Sequence, residues 1–371
     1  MEAIDLDSAG WWESEAPDLR LNPKRPVEAE GLLDFVAGDL GIRGAVLIAT
    51  SGSSGQAKFV VQTRAALLAS AAAVNRHCGL GKEEIWLGGL STFHVGGIGI
   101  HARAFLSGAR VVPMAWDAWT RDGTAFMKTL EESGATVTSL TPTHLWDLVQ
   151  TERWSPRNLR GVFLGGGRIA PDLVERARDL GWPVWPTYGM TEAASQVATS
   201  LEGDPLWLPL LPEWETRIGP GGRLQLRGDA LFAGYVRREK EGWSFDIARD
   251  QDGWFTTGDC VEIRGQQLRF LSRADAVVKV SGELVSLDSL NVRLVEFGIC
   301  GRIVALPDER REHELVLVCE AHDEERFAAC QAALPPVERV ARRVIVPRLP
   351  RTDLGKPDHG AMEAIAAGGR R

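Results

Sequence analysis

From residue 45 to about 190 the chain alternates short, nearly apolar runs with longer stretches of helical periodicity, and this constrains its fold more than any other feature. "AVLIA" (45–49), "ARVVPM", "ATVTSL", "RGVFLG" and "PVWPTYG" read as strands buried on both faces. "TRAALLASAAAVNRHC" and "PDLVERARDLG" read as helices between them. Thr63 suits an N-cap, Pro171 a first helical turn and Gly181 a helix stop. Buried strands joined by helices predict a layered α/β sheet, largely parallel and covered on both faces.

The texture changes after residue 200. "GDPLWLPLLPEWETRIGPGG" is rich in Pro and Gly and leads into "RLQLRGDALFAGY", "GWFTTGDCVEI" and "LRFLSR". Short strands this close together predict a small β-barrel-like subdomain over about 204–273, closing a large N-terminal domain of residues 1–273. Residues 274–371 mix "LDSLNVRLVEFG" and "DEERFAACQAAL" as helices with "GRIVALP", "ELVLVCEA" and "ARRVIVPRL" as strands, a compact α+β domain.

Composition excludes some functions. The 42 basic and 50 acidic residues give a net charge of −8, which argues against a broad nucleic-acid surface but not against a local anion site. The longest apolar run, "AALLASAAAV", stops at Arg64 and Asn75, too short to span a bilayer. The start, "MEAIDLDSAGWWESEAPD", lacks the apolar core of a signal peptide. Five cysteines without metal-ligand spacing fit reduced thiols, so a cytoplasmic location is expected.

Two stretches could hold phosphate. "TSGSSGQAK" (50–58) joins glycines and hydroxyls to a lysine, and successive amides in such a turn, aided by a helix N-terminus, can cradle an anion. It is not a Walker A loop, because Ala57, Lys58 and Phe59 stand where Gly-Lys-Ser/Thr is needed. Alone, it reads more readily as a solvated Gly/Ser turn. "GGGRIA" (165–170) fits the dinucleotide G-x-G-x-x-G/A pattern, but no acidic residue ends the next strand where a ribose contact belongs.

The order of further stretches is more specific. "TSGSSGQAK" is followed by "TFHVGG", "GGG", "TYGMTE", "GDALFAGY", "GWFTTGD", "SRADAVVKVSGE" and "PRTDLGK". Together, from about residue 45 to 358, they resemble the adenylate-forming acyl/aryl-CoA ligases. The resemblance implies an N-terminal domain, a mobile C-terminal domain, and ATP, Mg2+ and coenzyme A as ligands. It implies that Thr50, Ser51, Ser53, Ser54 and Lys58 wrap the β- and γ-phosphates, that Tyr188 stacks on adenine, and that Thr191 touches the α-phosphate. Glu192 is implied as the Mg2+ ligand, Asp259 as acceptor of the ribose hydroxyls, and Arg273 as a nucleotide contact from the domain junction. Lys356 is implied to bridge the substrate carboxylate and the α-phosphate, Asp275 to be the hinge, and Gly282 to lie beside the incoming pantetheine. Ala276 departs from the family's usual second acid after the hinge.

"TFHVGGIGIHAR", "LTPTHLWDLV" and "GGGRIAPDLVERARDLGWPVWPTYGMTEAAS" further resemble the o-succinylbenzoate–CoA ligases of menaquinone biosynthesis. That likeness places Arg103 opposite the second carboxylate of an aryl dicarboxylate and His94 beside the aryl group. It lines the acyl pocket with Gly165, Gly166, Gly167 and Ser195. Members of this group typically carry a longer segment before the phosphate loop. The expected partners are small molecules, with neither nucleic acid nor stable membrane insertion, and with room for a homo-oligomer. A ligase for another acid and a non-catalytic nucleotide binder are the rival readings. A hydride-transfer enzyme built on "GGGRIA" leaves the Gly/Ser loop and Lys356 unexplained.

Overall fold

The computed structural model describes residues 6–24, 27–50, 58–115, 117–120, 122–240, 242–321, 324–352 and 357–368, with the side chains of Thr50 and Asp275 also outside that description. The chain divides into two units. One comprises Met1–Ile218, Gln225–Thr256 and Ile263–Arg269, the other Gly219–Leu224, Thr257–Glu262 and Phe270–Arg371.

The first unit contains the expected layered sheet. Six strands lie in the order Arg110–Pro113, Ile85–Gly88, Val137–Leu140, Gly161–Leu164, Val184–Tyr188 and Ala198–Thr199. All neighbours are parallel except the last pair. Strands Val137–Leu140 and Gly161–Leu164 are buried at every position, as a sheet covered on both faces requires. Phe126, Leu130, Leu145, Leu148, Val174 and Trp182 fill one face, each side chain worth about 1.5–3 kcal/mol of burial. The helix signals hold. The Thr63 hydroxyl accepts from the Ala66 N–H, Pro171 opens its helix, and Gly181 follows the end of that helix in the left-handed region at φ 77°.

One element departs from the sequence reading. "AVLIA" does not join the parallel sheet. Strand Ala45–Thr50 lies in a separate five-stranded sheet ordered Asp18–Arg20, Ala45–Thr50, Lys58–Thr63, Gly234–Glu239, Gly242–Asp246. It pairs antiparallel with Lys58–Thr63, so the Gly/Ser loop joins two strands of a hairpin rather than a strand to a helix. The cause is "FVVQ": four consecutive buried residues, two of them β-branched, favour a covered strand. The helix that follows starts at Arg64, about 20 Å of strand beyond the loop at ~3.3 Å per residue. Its N-terminus therefore does not supply the anion contact expected of it. The Arg64 side chain instead donates to the carbonyls of Ser14 and Ala16, fastening the N-terminal segment to this sheet.

The β-rich stretch consists of strands of mixed length, among them Glu215–Ile218, Arg223–Arg227, Phe255–Arg264 and Gln267–Arg273. In the second unit, hairpin Val277–Val280/Glu283–Ser286 precedes a three-stranded sheet of Gly301–Asp308, Glu312–Cys319 and Arg342–Ile345. Helix Leu287–Glu296 covers one side through Leu290 and Leu294, and helix His359–Gly368 packs Met362 and Ala366 on Val304, Val316 and Val318. Among the described residues no helix is long and apolar enough to cross a membrane.

Candidate active site

Two polar clusters form in the first unit and one in the second. The first begins at Arg103, on helix Val95–Ser107. That helix opens at His94, whose carbonyl accepts from the N–H groups of Gly97 and Ile98 and whose half-buried ring lies 4.8 Å from that of Phe93. Arg103 is only 2 % exposed. Its guanidinium lies 5.1 Å from the Phe163 ring centroid and 5.9 Å from that of Trp86, two rings stacked on each other. Nη2 donates to the Ser195 hydroxyl at 3.0 Å, while Nε is buried with no partner among the described residues.

Among the described residues no carboxylate pairs with Arg103. Burial pulls its pKa down to about 10, with only the Cys78 sulfur acting in the opposite sense. A buried cation facing a hydroxyl and two rings is costly unless something anionic completes it. Gly99, one turn earlier, leaves the space open: a Cβ there would sit 3.2 Å from Arg103 Nη2 and 3.4 Å from Ser195 Oγ.

Ser195 reaches this position through an unusual turn. "TYGMTEAAS" leaves strand Val184–Tyr188, makes a short 3-10 turn over Thr191–Ala193, and then places Ala194 (φ 51°) and Ser195 (φ 131°) at positive φ. The chain doubles back so closely that a Cβ on Gly189 would collide with the Ser195 carbonyl oxygen and lie 2.9 Å from the Gln196 Cα. Tyr188 ends the strand half-buried, its carbonyl accepting from the Val197 N–H at 2.8 Å. Gly165 follows strand Gly161–Leu164 and donates to the Leu140 carbonyl, while Gly166 and Gly167 are exposed.

The second cluster holds Thr191 and Glu192. The Gln62 amide donates to the Thr191 carbonyl at 2.6 Å, and the Phe232 N–H to the Glu192 carbonyl at 2.9 Å. The Tyr235 hydroxyl donates to Glu192 Oε1 at 2.8 Å. Burial first and the Glu192 charge second raise the Tyr235 pKa, so it stays a protonated donor. Lys58 Nζ lies 3.9 Å from the Tyr235 ring centroid.

In the second unit Asp259 is 7 % exposed and pairs with Arg273, Nη1 to Oδ1 at 3.2 Å. The Arg273 N–H donates to Asp288 Oδ2 at 2.9 Å. Gly282 sits exposed at φ 86°, its N–H donating to Glu312 Oε2 at 2.8 Å. Ser51, Ser53, Ser54 and Lys356 lie outside the described residues, as do the side chains of Thr50 and Asp275.

The structure therefore brings together Arg103 with Ser195, Lys58 with Glu192 through Tyr235, and Asp259 with Arg273. Sequence reasoning missed Gln62 and Tyr235. Gln62 gives a signal as the lone amide in a buried strand, and Tyr235 stands inside "GDALFAGY", quoted for its pattern without a role.

Comparison with known proteins places the chain among characterised sequences and folds. A 2-succinylbenzoate–CoA ligase of Enterococcus faecalis is 32% identical over 258 residues, covering 64% of this chain and 51% of that protein. One of Salmonella typhimurium is 33% identical over 275 residues, covering 73% of this chain and 57% of that protein. The chain thus spans about half the length of the curated relatives it matches. An E. coli MenE variant solved with bound OSB-AMS has a TM-score of 0.71 at 27% identity, over 86% of this chain and 68% of that one. A Bacillus subtilis o-succinylbenzoate coenzyme A synthetase in complex with ATP and magnesium has a TM-score of 0.72 at 24% identity, over 86% of this chain and 69% of that one, and supports the fold alone. Residues 43–236, which carry the Gly/Ser loop, the Arg103–Ser195 pair and the Thr191–Glu192 turn, match the family described as AMP-binding enzyme, and the chain belongs to that family.

Proposed function

We propose that this chain is an ATP-dependent carboxylic acid–CoA ligase whose acid is an aryl dicarboxylate, o-succinylbenzoate. The observation that carries the reading is the buried Arg103 guanidinium beside Ser195, with an orphaned Nε and no protein carboxylate among the described residues. Such a site suits the carboxylate that is not activated, for which an arginine fork offers two parallel donors. The relatives named 2-succinylbenzoate–CoA ligase, and the MenE variant with bound OSB-AMS, support the choice of acid.

In this reading the reacting carboxylate attacks the α-phosphorus of ATP, pyrophosphate leaves, and an acyl-adenylate forms. The thiol of coenzyme A then attacks the acyl carbon and AMP departs. Two anions must meet in the first step, so positioning and charge placement supply most of the rate. Thr50, Ser51, Ser53, Ser54 and Lys58 hold the outer phosphates, Tyr188 flanks adenine, and Thr191 faces the α-phosphate. Asp259, oriented by Arg273, accepts the ribose hydroxyls. His94 and Gly165–Gly167 border the acyl group.

Glu192 suits a magnesium ion: Tyr235 occupies one oxygen, and no described residue bonds the other. When bound, the ion offsets charge on the phosphates. Lys356, on a C-terminal domain of residues 274–371 that swivels about Asp275, stabilises the charge passing to pyrophosphate, and Gly282 leaves room for the pantetheine arm.

Pyrophosphate release with MgATP and a panel of carboxylic acids, with and without coenzyme A, tests the proposal. Release that selects o-succinylbenzoate and needs no thiol, with thioester forming only once thiol is added, supports it. Release with no acid of the panel refutes it.

A further inference from the structure

Tyr235 ties together two groups that the proposed reaction needs. Strands Lys58–Thr63 and Gly234–Glu239 pair antiparallel with Tyr235 opposite Val60 and Arg237 opposite Lys58. Lys58 and Tyr235 are therefore diagonal neighbours, near enough for the ammonium to rest 3.9 Å from the ring centroid. The hydroxyl of the same ring donates to Glu192 Oε1 at 2.8 Å. The backbone around Glu192 is pinned separately, by Gln62 on the Thr191 carbonyl and by the Phe232 N–H on the Glu192 carbonyl. With the main chain already fixed, the tyrosine hydroxyl has one remaining effect, to set the rotation of the carboxylate. The ring is itself held edge-on to Phe232, with centroids 4.7 Å apart.

We propose that Tyr235 is a positioning residue joining the phosphate loop to the metal carboxylate: its hydroxyl turns Glu192 so that Oε2 alone faces the ion, and its ring seats Lys58. This rests on the reading of Glu192 as the magnesium ligand. A single presented oxygen suits magnesium, which keeps near-octahedral geometry and binds through few carboxylate oxygens. The cation–π seat holds the lysine at the root of the loop, where its charge faces the outer phosphates.

The test is calorimetric titration of the whole chain with ATP, with and without Mg2+, the ratio of the two affinities giving the metal's share. Tyr235→Phe keeps the ring and loses the hydroxyl. It is expected to cut the metal's share by about ten- to a hundredfold, the worth of a hydrogen bond to a charged group, and to leave metal-free ATP affinity unchanged. Tyr235→Leu removes the seat as well and is expected to weaken metal-free ATP too. Glu192→Gln is the control and is expected to abolish the metal's share. If Tyr235→Phe keeps the wild-type ratio while Glu192→Gln loses it, the positioning role is wrong and the ligand reading stands. If Glu192→Gln keeps the ratio, the ligand reading falls and this proposal with it.

A measurement that leaves Tyr235 intact guards against misfolded variants. The chain has only 2 tyrosines, so 13Cζ-labelled tyrosine gives two signals, assigned with Tyr188→Phe. Adding Mg2+ to the ATP-saturated protein is expected to move the Tyr235 signal, and a stationary signal overturns the proposal.

Discussion

Arg103 and Ser195 are joined by a 3.0 Å hydrogen bond that links helix Val95–Ser107 to the tight turn after "TYGMTE". The guanidinium proposed to read the acid is thus braced by the segment carrying Thr191 and Glu192. In the proposed function, acid recognition and nucleotide binding share one piece of backbone, and perturbing that turn is expected to affect both.

Gly189→Ala tests this sharing. The added Cβ meets the backbone of Ser195 and Gln196, which cannot rotate away as a side chain can. Overpacking of this kind costs about 1–3 kcal/mol. Thermal unfolding is expected to drop by several degrees, and KM is expected to rise for both the dicarboxylate and ATP. A rise in only one of the two would show that the turn does not couple them.

Lys356→Ala probes the transition-state charge. Removing one preorganised donor commonly costs about 3–4 kcal/mol, so acyl-adenylate formation is expected to slow by on the order of a hundred- to a thousandfold. ATP affinity is expected to stay near wild type, because the proposed role of the lysine is to act on charge that develops during transfer. Pre-steady-state quench flow reads the rate, and calorimetry reads the affinity.

Glu213 gives stability a pH dependence of its own. Among the described residues no side-chain hydrogen-bond partner meets its two buried carboxylate oxygens, and burial pushes its pKa from 4.5 up to about 7, only partly opposed by its own backbone amide and then by Arg76. The folded state therefore prefers the neutral acid. The protein is at its best on this account below pH 4.5 and loses that stability as pH rises toward 7. Glu213→Gln is expected to stabilise the fold by on the order of 1–3 kcal/mol at pH 8 and to change little at pH 5. Urea unfolding at the two pH values decides it, and an equal shift at both would place the effect elsewhere.

Much of the fold can be read from the sequence because its signals are local. The buried runs at 137–140 and 161–164 became strands, and Thr63, Pro171 and Gly181 marked helix ends as their chemistry dictates. The position of "AVLIA" could not be read this way, since an apolar run shows that a strand is buried but not which sheet it joins. Its partners, Asp18–Arg20 and Gly234–Glu239 by way of Lys58–Thr63, are distant in sequence. The site divides similarly. Arg103, Glu192 and Asp259 stand in short ordered motifs and so are candidates from the sequence alone. Gln62 and Tyr235 reach the Thr191–Glu192 turn only in the folded chain, through bonds that span 129 and 43 residues of sequence.

The central claim is that Arg103 receives the carboxylate that does not react. Arg103→Met keeps an apolar stem in the Trp86–Phe163 pocket while removing the charge. The direct measurement is KM of this variant and wild type for o-succinylbenzoate and for a 2-alkylbenzoate lacking the second carboxylate. The account predicts a rise for the dicarboxylate of on the order of a hundredfold, since losing one partner of a buried charge pair costs about 2–5 kcal/mol, with no matching rise for the monocarboxylate. Equal changes for the two acids, or none for either, would contradict it.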